Sequence, residues 1–190
     1  MWLAKTLLQN KQYKASTDIL EKIKILPYEG ATEGRQLYHE AWLMQAIDQV
    51  KRGKLRDASA SINKSRDWPE RLGVGKPYDS DIDDRAALYL EGLILEKSKR
   101  NSEANAKWEK VIAYKSRHEN VNTLFNALAL KKLGRADEGE KLLLEWTKSQ
   151  PFNKLAQWCR SAFSGYTTPP PDEFLSFDNV RIVNKIVSIQ

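Results

Sequence analysis

The amino-acid sequence predicts an all-α fold built from repeated pairs of short helices. Apolar residues recur at helical spacing along most of the 190 residues, and the nine Gly and seven Pro stand mainly between the periodic segments. Long β-branched runs are absent before the C-terminus. Residues 86–112 show the unit most clearly, because two amphipathic segments are hinged at residues 99–101 and carry the small residues Gly92 and Ala104 where helices can cross closely.

The same unit is predicted three more times along the chain. The other predicted helix pairs cover residues 1–10 with 13–25, 35–52 with 55–65, and 121–133 with 136–148. The turns within the pairs are predicted at Lys11, Gly53, Lys99 and Gly134. A last helix, residues 153–163, lies where an array of helix pairs has its capping helix.

The character of the sequence changes after Gly165. Residues 167–171, TTPPP, predict a stiff extended linker, and residues 174–190 are rich in Val, Ile and Phe. Since this last segment has neither clean period two nor clean period 3.6, a strand or extended segment is predicted. We therefore divide the chain into a helical repeat domain, residues 1–165, and a Pro-rich linker with an apolar extension, residues 166–190.

Composition limits the classes of function. The formal charge is +6, but 31 basic residues are interleaved with 25 acidic ones, which favours a solvated surface of mixed sign over a nucleic-acid interface. One Cys and two His cannot form an intramolecular disulfide or a zinc cluster, and Cys159 is expected to be a buried, inert thiol. No apolar run has the length of a membrane-spanning helix, so no membrane insertion is expected. The compartment, cytoplasmic or periplasmic, is not determined.

Residues 72–77, LGVGKP, partly resemble the sequence of a phosphate-binding loop but do not match its motif. Glu70 stands where the first Gly of that motif belongs, Pro77 replaces its hydroxyl residue, and no strand precedes it. A loop punctuated by Gly and Pro is the favoured interpretation.

Asp79, Asp81 and Asp83 alternate as the ligands of a calcium loop do. Asp84 stands where that loop requires Gly, however, and Leu90 replaces its closing Glu. The favoured interpretation is that these acids stabilise the N-terminus of the following helix.

His39 could be a general base or a ligand, but it has no partner at a meaningful spacing, so a hydrogen-bonded histidine is favoured.

A family resemblance is carried by three sets of residues: Trp42…Gly53-x-Leu55-x-x-Ala58…Pro69, Gly92…Ala104…Trp108, and Leu130…Gly134…Leu143…Pro151. They resemble tetratricopeptide repeats, which are helix–turn–helix units of about 34 residues. The resemblance implies a right-handed α-α superhelix of about four helix pairs plus a capping helix. It also implies a concave groove lined by Leu43, Met44, Ile47, Tyr89, Leu90, Leu93, Leu124, Phe125 and Leu128, with Lys97, Lys131 and Lys132 further along.

Two insertions depart from the repeat period, because successive turn residues are 42, 46 and 35 residues apart. The insertions cover residues 28–34 and 71–81, and since they come from adjacent repeats we expect them to be neighbours in space. Their aromatic and basic side chains could form a rim for a sugar, a peptide or an anionic partner. The alternative, which is favoured, is that these side chains pin the two loops to each other. The residues concerned are Tyr28, Arg35, Trp68, Arg71 and Tyr78.

The first predicted helix lacks its opening residues, so the chain is expected to be the C-terminal piece of a longer protein. The two insertions, in ILPYEGATEGRQLYHEAWL and RDWPERLGVGKPYD, also resemble the C-terminal helical region of large bacterial proteins of unknown function, many from Bacteroidetes, whose upstream part is β-rich.

These observations predict a non-catalytic scaffold that binds a polypeptide segment, or an upstream domain of the same protein, and no cofactor or metal is expected. The alternative is a helical accessory region of a carbohydrate-active enzyme, with Trp68, Tyr78 and the two arginines contributing to a glycan site.

Overall fold

The computed structural model describes residues 1–27, 32–166 and 168–189, and over these residues the chain is helical and contains no β-strand. The predicted all-α class is therefore confirmed. Contacts divide the chain into two compact units, Met1–Ile82 (unit 1) and Asp83–Gln190 (unit 2). Tyr28, Thr167 and residues 29–31, which belong to the predicted insertion and linker, lie outside the described residues.

Unit 1 contains α1 (Trp2–Gln9), α2 (Tyr13–Leu20), α3 (Glu33–Lys51) and α4 (Leu55–Ser65). Unit 2 contains α5 (Arg85–Lys97), α6 (Asn101–Ala113), α7 (Thr123–Lys132), α8 (Ala136–Ser149), α9 (Lys154–Phe163) and α10 (Asp178–Val187). Short 3-10 turns lie at Glu70–Leu72, Asp79–Asp81 and Asp172–Phe174.

The first nine helices match the predicted segments closely, with one exception. Helix α2 ends at Leu20, whereas the sequence pattern extends to Ile25. The backbone N–H of Ile25 donates to the carbonyl of Arg71 at 2.7 Å, so this residue leaves the helical ladder to pair with the second insertion.

One turn geometry joins the two helices of every pair. The turn residues Lys11, Gly53, Lys99 and Gly134 all have positive φ, between 61° and 78°. The backbone N–H of Lys99 donates to the carbonyl oxygen of Glu96 at 2.9 Å, and the backbone N–H of Arg100 donates to the carbonyl oxygen of Leu95 at 2.9 Å. The other three turns have the same two hydrogen bonds. These are the two hydrogen bonds of a Schellman motif, which closes the carbonyl end of a helix.

Small residues mark the crossing of the helices in each pair. Seven residues before each turn residue stand Ala4, Ala46, Gly92 and Ala127, and five residues after it stand Ser16, Ala58, Ala104 and Gly139. All eight are buried. The hydroxyl of Ser16 donates to the carbonyl of Ala4 at 2.8 Å, and a Cβ on Gly139 would lie 2.7 Å from the carbonyl oxygen of Ala127. At Ala127 and Gly139 the two helices therefore approach to backbone contact, whereas a Cβ on Gly92 would meet the side chain of Trp108.

The pairs also pack on one another within each unit. Helix α2 contacts α3 in unit 1, while α6 contacts α7 and α9 contacts both α7 and α8 in unit 2. The predicted last helix is confirmed as α9, and the side chain of Asn153 accepts hydrogen bonds from Leu155 N (3.0 Å) and Ala156 N (3.1 Å) at its N-terminus.

The strand or extended segment predicted near the C-terminus is wrong, because residues 178–187 form helix α10. Its apolar side chains at helical spacing are buried, and α10 contacts α5. These residues are Val180, Ile182, Val183 and Ile186. Burial of one stripe outweighs the modest preference of β-branched residues for strands. Whether residues 166–190 form a separate folding unit stays a prediction.

Candidate functional site

The nine predicted groove residues lie on α3, α5 and α7 at matching positions. Three residues per helix stand ten, nine and six residues before the turn residue, as Leu43, Met44 and Ile47 do before Gly53. All nine are buried, with exposed fractions of 0–6%. In the described structure these side chains contribute to the cores of the units, and their role in binding a partner stays a prediction.

An aromatic cluster in unit 2 includes two of these residues. The ring centroid of Tyr89 lies 5.4 Å from that of Phe125 and 6.5 Å from that of Trp108. The hydroxyl of Tyr89 is buried and has no hydrogen-bond partner among the described residues. Burial, with a smaller contribution from the charge of Glu96, raises the pKa of Tyr89, so the phenol stays neutral.

Helix α10 contacts α5, the helix that carries Tyr89, Leu90 and Leu93. The segment leading to α10 is held by a hydrogen bond from Trp158 Nε1 to the carbonyl of Thr168, 2.9 Å long, and by an ion pair of 3.1 Å between Lys154 and Glu173. An amphipathic helix of the chain itself therefore lies against α5.

Two of the predicted groove lysines make contacts within unit 2. Lys131 Nζ donates to the carbonyl of Phe163 at 3.2 Å, and Lys132 Nζ forms an ion pair with Glu96 at 2.6 Å. Lys132 also lies 5.5 Å from the ring centroid of Trp108. Lys97 is exposed.

The two insertions in unit 1 contact each other, as expected from their place in adjacent repeats. A Cβ on Gly34 would lie 2.6 Å from the carbonyl oxygen of Leu72, and one on Gly73 would lie 3.1 Å from the carbonyl oxygens of Ile25 and Leu26.

The rim residues of the insertions pair within unit 1. The guanidinium of Arg35 stacks on Trp68 at 4.4 Å and donates to the carbonyl of Ser65 at 2.8 Å. Arg71 forms a 2.7 Å ion pair with Glu21 and lies 5.9 Å from the ring centroid of Tyr38. These contacts hold Arg35 against Trp68 and the end of α4, and Arg71 against Glu21 and Tyr38. Whether the rim residues serve a ligand or only hold the loops stays a prediction.

The remaining rim residues are Tyr78 and Tyr28. Tyr78 is 82% exposed, and Tyr28 lies outside the described residues. The structure therefore brings Arg35 together with Trp68, and Arg71 with Tyr38 and Glu21, whereas the predicted rim as a whole stays untested.

Sequence reasoning missed a buried charged network at the start of α5. Arg85 is 2% exposed and donates from Nε and Nη2 to the two carboxylate oxygens of Asp83, at 2.8 and 2.6 Å. Its Nη1 donates to Asn126 Oδ1 at 2.7 Å, and its guanidinium lies 4.8 Å from the ring centroid of Tyr114. The only local signal was the Asp83-x-Arg85 spacing at a helix start.

The charge of Asp83 is stabilised by this network. Burial opposes its ionisation, but the hydrogen bonds and charge of Arg85 and a 2.9 Å hydrogen bond from Asn122 hold the pKa of Asp83 below its usual value. Asp79 and Asp81, by contrast, are exposed in a 3-10 turn, and Asp79 forms an ion pair with Lys76 at 2.7 Å. The three acids thus do not converge on a common point.

The two remaining candidate side chains, His39 and Cys159, are each held within the fold. His39 Nδ1 lies 3.0 Å from the carbonyl of Ser65, which is the hydrogen-bonded histidine favoured above. Cys159 is fully buried, and burial raises the pKa of its thiol. No group of three or more His, Cys, Asp or Glu side chains among the described residues is placed to hold a metal ion.

A surface cavity of about 690 Å³ lies between α8 and α9 and includes the basic side chains Lys148 and Arg160. Both are exposed, and no buried polar group points into the cavity to define a ligand. It therefore carries no assignable chemistry.

No helix in the described part of the chain is long and apolar enough to cross a bilayer. Compared with protein-family models, with curated proteins and with solved structures, the chain matches none.

Proposed function

We propose that this chain is a non-catalytic scaffold that binds an amphipathic helical segment of a protein on the inner helices of a tetratricopeptide-like, right-handed array. Binding is driven by burial of apolar side chains, at about 25 cal/mol per Å². The two joined insertions of unit 1 contact a neighbouring domain or a second part of the partner.

One observation carries this proposal: α10 contacts α5, and four aliphatic side chains on one stripe of α10 are buried. An amphipathic helix is thus a ligand whose shape and chemistry fit this face. Because α10 is tethered, its effective concentration is in the millimolar range. A partner helix with the same apolar spacing must displace α10 or bind beside it.

The state of the nucleophilic groups supports a role in binding. Cys159 and Tyr89 are both buried with a raised pKa, so the thiol and the phenol are held in their protonated, unreactive forms.

The alternative, glycan binding by an accessory region of a carbohydrate-active enzyme, has less support. Sugar rings bind on open aromatic faces, but one face of Trp68 is covered by the guanidinium of Arg35 at 4.4 Å. Tyr78 is open to a ligand, yet it is not part of the Arg35–Trp68 stack.

The test uses the full chain with Val183→Asp and Ile186→Asp, which place two charges in the buried stripe of α10 and release it from α5. A fluorescein-labelled peptide of residues 174–190 is then added, and its anisotropy is measured. We expect saturable binding to the double variant and at least tenfold weaker binding to the unmodified chain, in which α10 competes.

The matched control is Ser176→Asp, which adds a charge at an exposed position just before α10 and leaves α10 in place. Circular dichroism establishes that the double variant keeps its other helices. If that folded variant does not bind the peptide, helix capture on this face is rejected.

A further inference from the structure

The segment that joins α9 to α10 is held against one side of α9. Trp158 Nε1 donates to the carbonyl of Thr168 at 2.9 Å, and Lys154, about one helical turn earlier, forms an ion pair of 3.1 Å with Glu173. Residues 168–173, which we call the docked linker, therefore run along α9 in the direction opposite to that helix.

The docked linker has the features of a polyproline II ligand. It contains Pro169, Pro170 and Pro171 in succession, and Pro170 is buried. Pro171 has φ of −56° and ψ of 138°, close to the polyproline II conformation. A segment in this conformation makes no hydrogen bonds within itself, so its carbonyl groups are available to a donor. Aromatic side chains bind proline-rich segments of this kind in other proteins.

The indole N–H of Trp158 is the donor that α9 offers to the docked linker. Trp158 is 6% exposed, and Trp108 and Trp146 are each 2% exposed. The indole N–H groups of Trp108 and Trp146 have no hydrogen-bond partner among the described residues, whereas that of Trp158 donates to the carbonyl of Thr168. Because a buried N–H that loses its partner keeps its desolvation cost, this hydrogen bond stabilises the docked linker on α9.

The docked linker and α10 together form one continuous two-part segment. Residues 168–173 contact α9, and α10, which begins after four intervening residues, contacts α5. A proline-rich segment is already ordered before it binds, so its binding costs little conformational entropy. Once one part is bound, the tether raises the effective concentration of the other part at its own helix.

We infer that unit 2 recognises a two-part ligand, in which a proline-rich segment lies on Lys154 and Trp158 of α9 and an amphipathic helix follows it on α5. The ligand is a partner polypeptide with the order of features seen in residues 168–187: successive prolines, an acidic residue within the next two positions, and a helix with one aliphatic stripe. This inference rests on the proposed function for the contact with α5, and it adds α9 as the second contact.

The test protein is the full chain with four substitutions that free both contact surfaces from the chain's own segment. Val183→Asp and Ile186→Asp release α10, as described above. Pro169→Gly and Pro170→Gly remove the fixed backbone conformation of the docked linker, so its docking on α9 is weakened. Circular dichroism checks that this protein and the variants made from it keep their other helices.

Two fluorescein-labelled peptides, residues 174–190 and residues 168–190, are titrated with the test protein and followed by anisotropy. We expect the longer peptide to bind at least roughly tenfold more tightly, because it contacts α9 as well as α5. Added to the test protein, Trp158→Phe removes the indole donor but keeps an aromatic ring. It should weaken binding of the longer peptide about tenfold and leave binding of the shorter peptide unchanged.

A second variant tests the α9 contact at an exposed position, where the fold is not at risk. Lys154→Glu replaces the attraction to Glu173 of the longer peptide by repulsion, and it should weaken binding of that peptide roughly two- to fivefold. The matched control is Lys110→Glu, which makes the same change of charge at an exposed lysine of α6. It should leave the affinities of both peptides unchanged.

The two peptides separate failure of this inference from failure of the proposed function. Equal affinities of the two peptides, or a stronger binding of the longer peptide that neither Trp158→Phe nor Lys154→Glu reduces, overturn the two-part ligand and leave helix capture on α5 intact. If the shorter peptide does not bind, helix capture is rejected and the two-part ligand is rejected with it.

Discussion

At the scale of the residue, Arg85 and Asp83 form an ion pair that is largely buried in unit 2. The side chain of Arg85 is 2% exposed, and its guanidinium is satisfied by a carboxylate and by the amide oxygens of Asn120 and Asn126. A buried guanidinium that loses its counter-ion keeps its desolvation cost, so the partners of Arg85 are more sensitive to substitution than exposed charges are.

We predict that Asp83→Asn destabilises unit 2 by about 3 kcal/mol at pH 7, because it leaves Arg85 buried without its counter-ion. The folded-state pKa of Asp83 lies below its unfolded value. Its stabilising contribution is therefore complete above the unfolded pKa, about 4, and is lost as the pH falls toward the folded pKa. Urea denaturation at pH 7 and below pH 4 should show the difference between the two proteins shrinking with acidification.

Asp79→Asn is the matched control, since it removes a carboxylate from an exposed ion pair with Lys76 in the same loop. It should change the free energy of unfolding by less than about 0.5 kcal/mol. An effect of Asp83→Asn as small as that of Asp79→Asn would contradict the structural role of the pair.

At the scale of the element, the same Schellman turn ends the first helix of all four pairs. Two of them use Gly at the position of positive φ, while Lys11 and Lys99 adopt φ of 61° there. A side chain with a Cβ is strained in this conformation by about 1 kcal/mol, and Gly is not. The two lysine turns therefore hold removable strain.

We predict that Lys99→Gly stabilises unit 2 by about 0.5–1 kcal/mol, because Gly at this position relieves the strain. Lys97→Gly is the matched control: it makes the same change two residues earlier, in the last turn of α5, and should destabilise by up to about 1 kcal/mol. Thermal denaturation of the two variants shows directly whether each substitution raises or lowers the stability of the protein. Equal destabilisation by both would show that Lys99 is not strained.

At the scale of the whole molecule, the described chain consists of two compact units, and Cys159 reports on one of them. It is the single cysteine of the sequence and is fully buried on α9 in unit 2. A thiol reagent can reach it only when unit 2 opens, so the labelling rate measures the population of open states.

We predict that Gly139→Ala increases the rate of Cys159 labelling by roughly tenfold or more under native conditions. The added Cβ would lie 2.7 Å from the carbonyl oxygen of Ala127 and 3.1 Å from Phe163 of α9, so α8 must move away from both. Overpacking of this kind costs about 1–3 kcal/mol. This cost outweighs the higher intrinsic helix propensity of Ala relative to Gly.

Gly75→Ala is the control for this measurement, because, apart from its two chain neighbours, no described residue has an atom within 4 Å of its added Cβ. Its labelling rate should equal that of the unmodified chain. A Gly139→Ala protein that labels no faster would mean that the helices of this pair do not approach as closely as described.

The sequence by itself determined the helix pairs, their turns and the small residues at their crossings. Apolar period, Gly placement and helix breakers act over a few residues, so the predicted bounds of α4 and α6 agree with the structure to within a residue or so. The joining of the two insertions also followed from the repeat pattern, because adjacent repeats place their loops side by side.

Only the tertiary structure decided the state of residues 178–187, the burial of the predicted groove residues and the pairing of Arg85. Val and Ile residues are compatible with a strand or with one stripe of a helix, and packing on α5 selects the helix for α10. Arg85 meets Asn126, 41 residues away, which no local pattern specifies. Burial and charge pairing join distant parts of the chain, whereas propensity and periodicity are local, and this difference separates what could be predicted from what could not.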